Sequence, residues 1–274
     1  RAYTKRPVII GYGYHGWVNN LSGGIEKGVP GEIAALSRPA RFGDIASFEE
    51  AAREVGEDRV AALTLAMPYA EVYPGHPFYR ELRDLADRIG ALLIFDEIVT
   101  GFRIRYGGAG EFFGVKPDLA VFSKGIAGGF PLSVICGRAD VMSLAAAIPV
   151  SSTFAGDTLA LAAALETIAI YEEEDVIGHL WARGEQLVNG LNRLFAAYEF
   201  PAEATGLAPC STLVPKPGDK EAPAKLEAFI DACYEHGVSF YRVNYPNLAH
   251  TEADVNETLE RCDRALAALK ARGV

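Results

Sequence analysis

Apolar residues recur along the chain in two textures. From Val8 to Gly137 short apolar runs alternate with amphipathic segments, the pattern of a parallel sheet covered by helices. The runs predict strands at Val8–Gly11, Val60–Ala66, Leu92–Phe95, Leu119–Phe122 and Ser133–Cys136. Ser47 with Glu50 reads as a capping box for a helix to about Val55. Pro77 opens a stronger helix to about Ile89, with Phe78, Leu82, Leu85, Ala86 and Ile89 on one face and Gly90 as its stop. After Thr153 the texture turns to long helices. Asp157 caps one that is apolar almost all round, through Leu159, Leu161, Ala162, Leu165, Ile168 and Ile170, and is therefore expected to be buried; it ends in the acidic run Glu172 to Asp175. Lys220–His236 and Glu252–Arg272 are amphipathic, with Gly237 and Gly273 as stops, and the connector from Pro201 to Gly218 holds one strand candidate, Ser211–Val214. The expected fold class is α/β: a large domain over residues 1–170 with a mostly parallel sheet flanked by helices, then a smaller α+β, mostly helical domain over 171–274.

Composition narrows the class. Half of the 274 residues are hydrophobic and 23% are charged, which places the chain among globular proteins rather than disordered or fibrous ones. The net charge of −10 is spread over both halves and argues against nucleic acid or an anionic membrane surface as a partner. The longest apolar runs, such as Ala91–Phe95 and Leu144–Val150, fall far short of the ~18 residues a membrane span needs. Cys136, Cys210, Cys233 and Cys262 form no C-x-x-C pair and read as small buried hydrophobes in a reducing cytoplasm. The five histidines are dispersed and give no metal-ligand spacing. The chain starts at Arg1 without a Met and runs almost at once into an apolar strand, so its natural beginning is expected further upstream.

The stretch VIIGYGYHGW, Val8 to Trp17, places Gly11, Gly13 and Gly16 in the spacing G-x-G-x-x-G after a strand, the form of a dinucleotide-binding loop. That reading demands a helix straight after the last glycine and an acidic residue closing a second strand roughly 20 residues on. Instead Asn19, Asn20, Gly23, Gly24, Gly28 and Pro30 punctuate a loop, and Glu26 ends no apolar run. Tyr14 and His15 need another account.

Two strand ends carry unusual charges. ALLIFDEIVTGFR drives Asp96 and Glu97 straight out of an apolar run, and LAVFSKGIAGGFPLSV does the same for Lys124. Carboxyl ends of parallel strands are where α/β proteins place chemistry, and a charge so close to a core must pair or shift its pKa. Gly125, Gly128 and Gly129 leave room beside Lys124 for a bulky, flat group. A partly desolvated lysine is a nucleophile and general base able to form a Schiff base with a carbonyl compound, pyridoxal phosphate being the most familiar. That cofactor needs a carboxylate at its pyridine nitrogen, a flat side chain on its face and donors for its phosphate. Asp96 offers the first and Tyr14 the second. The alternative is a buried structural ion pair between Asp96 and Lys124, with Tyr14 as ordinary core.

Taken together, LLIFDEIVTGFR, GGAGEFFGVKPDLAVFSKGIAGGFPLSV and STFAGD resemble the class III (subgroup II) aminotransferases of fold type I, nearest in tone to their glutamate-1-semialdehyde aminomutase-like branch. RAYTKR, YGYHGW and NLAHTEADVNETLE extend the resemblance over nearly the whole chain. It implies pyridoxal 5'-phosphate as cofactor, held as a Schiff base on Lys124, with Asp96 at the pyridine nitrogen. It further implies Ile98 and Tyr14 on the two faces of the ring, and Thr153 reaching the cofactor phosphate from the neighbouring subunit of a homodimer. His15, Glu97 and Arg103 read first as hydrogen-bonding residues that shape the site. The family's edge strand and glycine-rich phosphate loop would lie before Arg1, so the chain is expected to be part of a longer polypeptide or a natural truncation. Met67-Pro68 stands where relatives carry Glu-Pro, and Asp157-Thr158 replaces Asn-Pro or His-Pro, which bears on substrate choice and the dimer contact. The implied reaction is amino-group transfer between an amino donor and an aldehyde, ketone or keto-sugar. An intramolecular 1,2-aminomutase of the glutamate-1-semialdehyde type and a non-catalytic scaffold are the alternatives.

Overall fold

A computed structural model of the protein describes residues 1–16, 28–66, 77–149 and 152–273. The sequence-level loops at Trp17–Lys27 and Tyr69–His76, and the Met67-Pro68 pair, lie outside the described residues. The described residues up to Glu172 form one unit and those from Glu173 a second.

In the first unit β1 (Val8–Tyr12), β2 (Ser37–Pro39), β3 (Val60–Ala66), β4 (Leu92–Asp96), β5 (Leu119–Phe122) and β6 (Val134–Gly137) make one sheet in the order β2-β1-β3-β4-β5-β6. Every pairing is parallel except that of β5 with β6. Six of the seven residues of the central β3 are buried, which is why it reads as an uninterrupted apolar run. β6 is the antiparallel edge, so its Cys136 is exposed rather than buried as its apolar run implied.

Around the sheet lie α1 (Gly31–Ala34), α2 (Ile45–Val55), α3 (Phe78–Ile89), α4 (Gly108–Phe113), α5 (Ala139–Met142) and α6 (Thr158–Glu173). The cap of α2 is Asp44, whose side chain accepts from the Ser47 N–H; Ser47 is already inside the first turn, with its hydroxyl on the Asp44 carbonyl. The capping-box signal thus named the right region and the wrong residue. In α3 the five expected positions and Tyr79 are buried, and Gly90 closes the helix in the left-handed region at φ 65°.

The expectation for α6 is corrected. Its buried residues are Ala160 and Ala164, while Leu159 and Leu165 are 68% and 70% exposed. Ala164, with the half-buried Ile168 and Tyr171, packs on Phe102, Ile126 and Ala127, so the helix seats on its small side chains and turns large ones outward.

The second unit holds α7 (Val176–Ala197), a three-stranded antiparallel sheet of β7 (Ala202–Thr205), β8 (Ser211–Pro215) and β9 (Val243–Asn244), and the helices α8 (Ala222–Glu235) and α9 (Glu252–Ala271). Leu191 and Phe195 of α7 pack with Phe200, Leu213, Leu226, Phe229 and Leu266 in one core. α7 has no counterpart among the elements the apolar pattern predicts. Asp175, the end of the acidic run after α6, is its N-cap, accepting from Gly178 N–H at 2.9 Å. Among the described residues no helix is long and apolar enough to cross a membrane.

Candidate active site

Strand register sets the site. Tyr12 pairs with Leu65 and Ala66 with Asp96, so the residues just beyond β1 come level with the end of β4, two strands away. At Gly13, φ is 94° and a Cβ would fall 2.7 Å from that of Ala66, so only glycine lets the chain pass β3 this closely. Beyond it Tyr14 is 70% exposed, which excludes its reading as core, and His15 turns inward.

His15 Nδ1 lies 3.2 Å from Asp96 Oδ2, with side chains 9% and 13% exposed. The other oxygen, Asp96 Oδ1, accepts from the Ile98 N–H at 3.1 Å, which ties the half-buried Ile98 to the same carboxylate. The contact agrees with the sequence expectation that His15 is a hydrogen-bonding residue shaping the site, and strand register supplies the partner, Asp96, that the expectation left unnamed.

Glu97, the next residue, is 1% exposed. It accepts from the Thr100 hydroxyl, from Ala109 N–H at 2.7 Å and from Gly110 N–H at 2.9 Å. Burial pushes its carboxyl above the usual range against the pull of those three bonds. Its function is to fasten residues 100–110 to the strand end. Behind β4, buried Asp118 accepts from Leu93 N–H at 2.7 Å, Arg83 at 2.9 Å and Arg138 at 2.8 Å. Burial raises the Asp118 pKa, but these donors outweigh it and hold the group below the ordinary carboxylate range.

Lys124 follows β5, the neighbour of β4, and opens a short 3-10 turn, Lys124–Ala127, with φ at 45°. Burial draws its amine below the ordinary lysine value; Asp96 opposes that shift and Arg103 adds to it. Among the described residues Lys124 has no ion-pair partner, so it and Asp96 do not form the structural pair that was the sequence-level alternative. Gly125 proves to face protein rather than open space: a Cβ there would meet Phe102 Cβ at 3.2 Å and the Gly101 carbonyl at 3.4 Å. Phe102 has φ 61° and its carbonyl accepts from the Tyr171 hydroxyl of α6. Ser123 closes the loop that carries Lys124, its hydroxyl donating to the Leu132 carbonyl at 2.6 Å and meeting the Ser133 hydroxyl at 3.1 Å.

Asp96, Ile98, His15 and Lys124 thus share one sheet edge, with Tyr14 exposed beside it. Thr153 is exposed before α6, and no described hydrogen bond joins it to the other residues. A concavity of about 400 Å³ lies elsewhere, in the second unit, lined among others by Arg183, Phe240, Asn244, His250 and Arg261; it contains none of these residues.

Residues 47–266 match the family described as aminotransferase class-III. The chain is 33% identical to the glutamate-1-semialdehyde 2,1-aminomutase of Pyrobaculum arsenaticum, over 98% of this chain and 71% of that protein. Among solved structures, the pyridoxal-phosphate internal aldimine form of the FumI protein of Sphingopyxis sp. MTA144 superposes with a TM-score of 0.89 at 27% identity, covering 99% of this chain and 67% of that one. An omega-transaminase from Sphaerobacter thermophilus shares the fold, with a TM-score of 0.85 at 23% identity over 97% of this chain and 69% of that one.

Proposed function

The chain belongs to the class-III aminotransferases, a family of pyridoxal-phosphate-dependent enzymes, and from that membership we propose that it moves an amino group between an amino donor and a carbonyl acceptor. The observation that carries the reading is the placement of Asp96 and Lys124 at the carboxyl ends of adjacent strands without pairing to each other. A carboxylate with room at its oxygens and a partly desolvated amine form the donor set that a pyridine ring with a carbonyl substituent requires. Pyridoxal 5'-phosphate, when bound, supplies a carbonyl that condenses with amines and a ring that accepts electrons.

The chain's own residues then divide the work. Asp96 holds the proton on the ring nitrogen. Lys124 Nζ, its pKa lowered by burial, would hold the cofactor through its carbonyl and would take and return the proton at the donor's carbon. Tyr14 and Ile98 would hold the ring, one from each side. Thr153, exposed and unconnected to its own chain's site, would reach the cofactor phosphate of a second copy. The exposed Phe154, Leu159 and Leu165 give that homodimer an apolar face, and Leu165→Asp is expected to shift the protein to a monomer in sedimentation. All four cysteines are free thiols, which suits a reducing cytoplasm.

The test is the visible spectrum. Protein incubated with pyridoxal 5'-phosphate is expected to turn yellow and to change colour with an amino donor; a chain that stays colourless favours the non-catalytic scaffold. The names of relatives such as the Pyrobaculum protein favour a second reading, an intramolecular aminomutase. Isomerisation of an amino-aldehyde with no added carbonyl acceptor distinguishes it from transfer between two substrates.

A further inference from the structure

We infer that His15 is a positioning residue for Asp96, fixed as the tautomer that carries its hydrogen on Nδ1. The inference rests on the reading of Asp96 as the partner of the cofactor's ring nitrogen. An ionised carboxylate only accepts, so the 3.2 Å contact to Asp96 Oδ2 requires the hydrogen on Nδ1. The other ring nitrogen points the same way. His15 Nε2 is buried and has no hydrogen-bond partner among the described residues. A hydrogen placed there would be a desolvated donor with nothing to receive it.

The backbone explains how two neighbouring residues come to do different work. Gly13 and Gly16, at φ 94° and 87°, bracket the Tyr14-His15 pair and let the chain reverse on both sides of it. Tyr14 is left open, and the His15 ring enters the space beside Gly11, where a Cβ would already stand 3.7 Å from Nε2. Asp96 is then held from two sides, Oδ1 by Ile98 N–H and Oδ2 by His15, which fixes the rotation of the carboxylate. Each oxygen keeps lone-pair capacity for a further donor. A single donor would leave that rotation unset, so His15 aims the carboxylate rather than contacting the cofactor.

The geometry selects the conservative variant. The side-chain nitrogen of asparagine is as many bonds from Cβ as Nδ1, whereas that of glutamine corresponds to Nε2. His15→Asn is therefore expected to keep the bond, and His15→Gln and His15→Phe to lose it. Pyridoxal 5'-phosphate binding, followed by its visible absorbance, should weaken about ten- to a hundredfold in His15→Phe and His15→Gln and stay near the parent value in His15→Asn. Melting by circular dichroism shows that each variant is folded. A His15→Phe protein that binds as the parent does, or a His15→Asn protein as weak as His15→Phe, overturns the proposal. Two-bond nitrogen–proton NMR of the parent chain without cofactor reads the tautomer directly. The Nδ1–H form is expected, and the Nε2–H form overturns the proposal whatever the binding data say. A parent chain with the Nδ1–H tautomer that binds no cofactor would instead refute the reading of the site while upholding the His15–Asp96 contact.

Discussion

Asp96 and Glu97 are consecutive carboxylates at one strand end, yet the fold treats them in opposite ways. Glu97 is surrounded by donors of its own chain, Thr100, Ala109 and Gly110, and is closed to water. Asp96 receives one bond on each oxygen and keeps further capacity at a partly open edge. A saturated carboxylate is a fastener, and an unsaturated one is available to a ligand. The difference lies in the backbone that reaches them: the 100–110 segment folds back over Glu97, while Asp96 meets only Ile98 and the histidine beyond β1.

The largest expected effect lies beside this pair, at Lys124. Lys124→Ala should reduce both turnover and the colour of the cofactor-loaded protein to background while the melting temperature barely moves; normal turnover would sink the assignment. Next comes the exchange of roles. Asp96→Asn is expected to lower kcat on the order of a hundredfold or more with little change in melting, since it removes one preorganised electrostatic partner. Glu97→Ala should instead cost on the order of 3 kcal/mol in chemical denaturation, because it leaves three donors without an acceptor. If Glu97→Ala loses activity at unchanged stability, or Asp96→Asn unfolds the protein, the distinction is wrong.

Smaller is Gly108→Ala, where a Cβ would lie 2.2 Å from Glu97 Oε2 on a backbone at φ 76°. It should lose about 1–3 kcal/mol by loosening the same fastening. Smallest is the pH dependence, in which buried Glu97 and Asp118 act in opposite directions. Asp118 is held below its unfolded pKa, so its stabilisation is complete above the ordinary carboxylate range and is lost as pH falls through the folded value. Glu97 is raised above its unfolded pKa, so the folded state binds the extra proton and stability declines as pH rises through that window. Asp118→Asn should flatten the acid limb of a melting-versus-pH curve, and Glu97→Gln the opposite slope above it.

Much of the first unit was legible because its central strands are buried on both faces. β3 and β4 announce themselves as apolar runs, and a charge that ends such a run, as at Asp96 and Lys124, is visible without a structure. What pattern could not supply was the use of small residues. Gly178, Gly184 and Gly190 interrupt the helical pattern of α7, although Gly184 and Gly190 serve close packing there. A Cβ at Gly184 would stand 2.3 Å from the Ala208 carbonyl, and one at Gly190 would stand 2.3 Å from Leu259. In α6 the converse holds, Ala160 and Ala164 facing the core while Leu159, Leu161 and Leu165 turn away. At the site, the charges were legible and their partners were not. The His15 contact depends on register across three strands, and the Gly125 contact on a left-handed turn at Phe102.

The Ser123 latch has an evolutionary consequence. Because the loop after β5 is pinched at its neck by Ser123, Leu132 and Ser133, Lys124 takes its direction from the sheet and not from the loop's far end. Residues around Gly128 and Gly129, beyond the neck, form a span whose length costs little to change, since loop-closure entropy grows only slowly with added residues. Insertions or deletions there would reshape what stands beyond the neck without re-aiming Lys124, so lineages of this chain can vary the loop's far end while its base stays fixed.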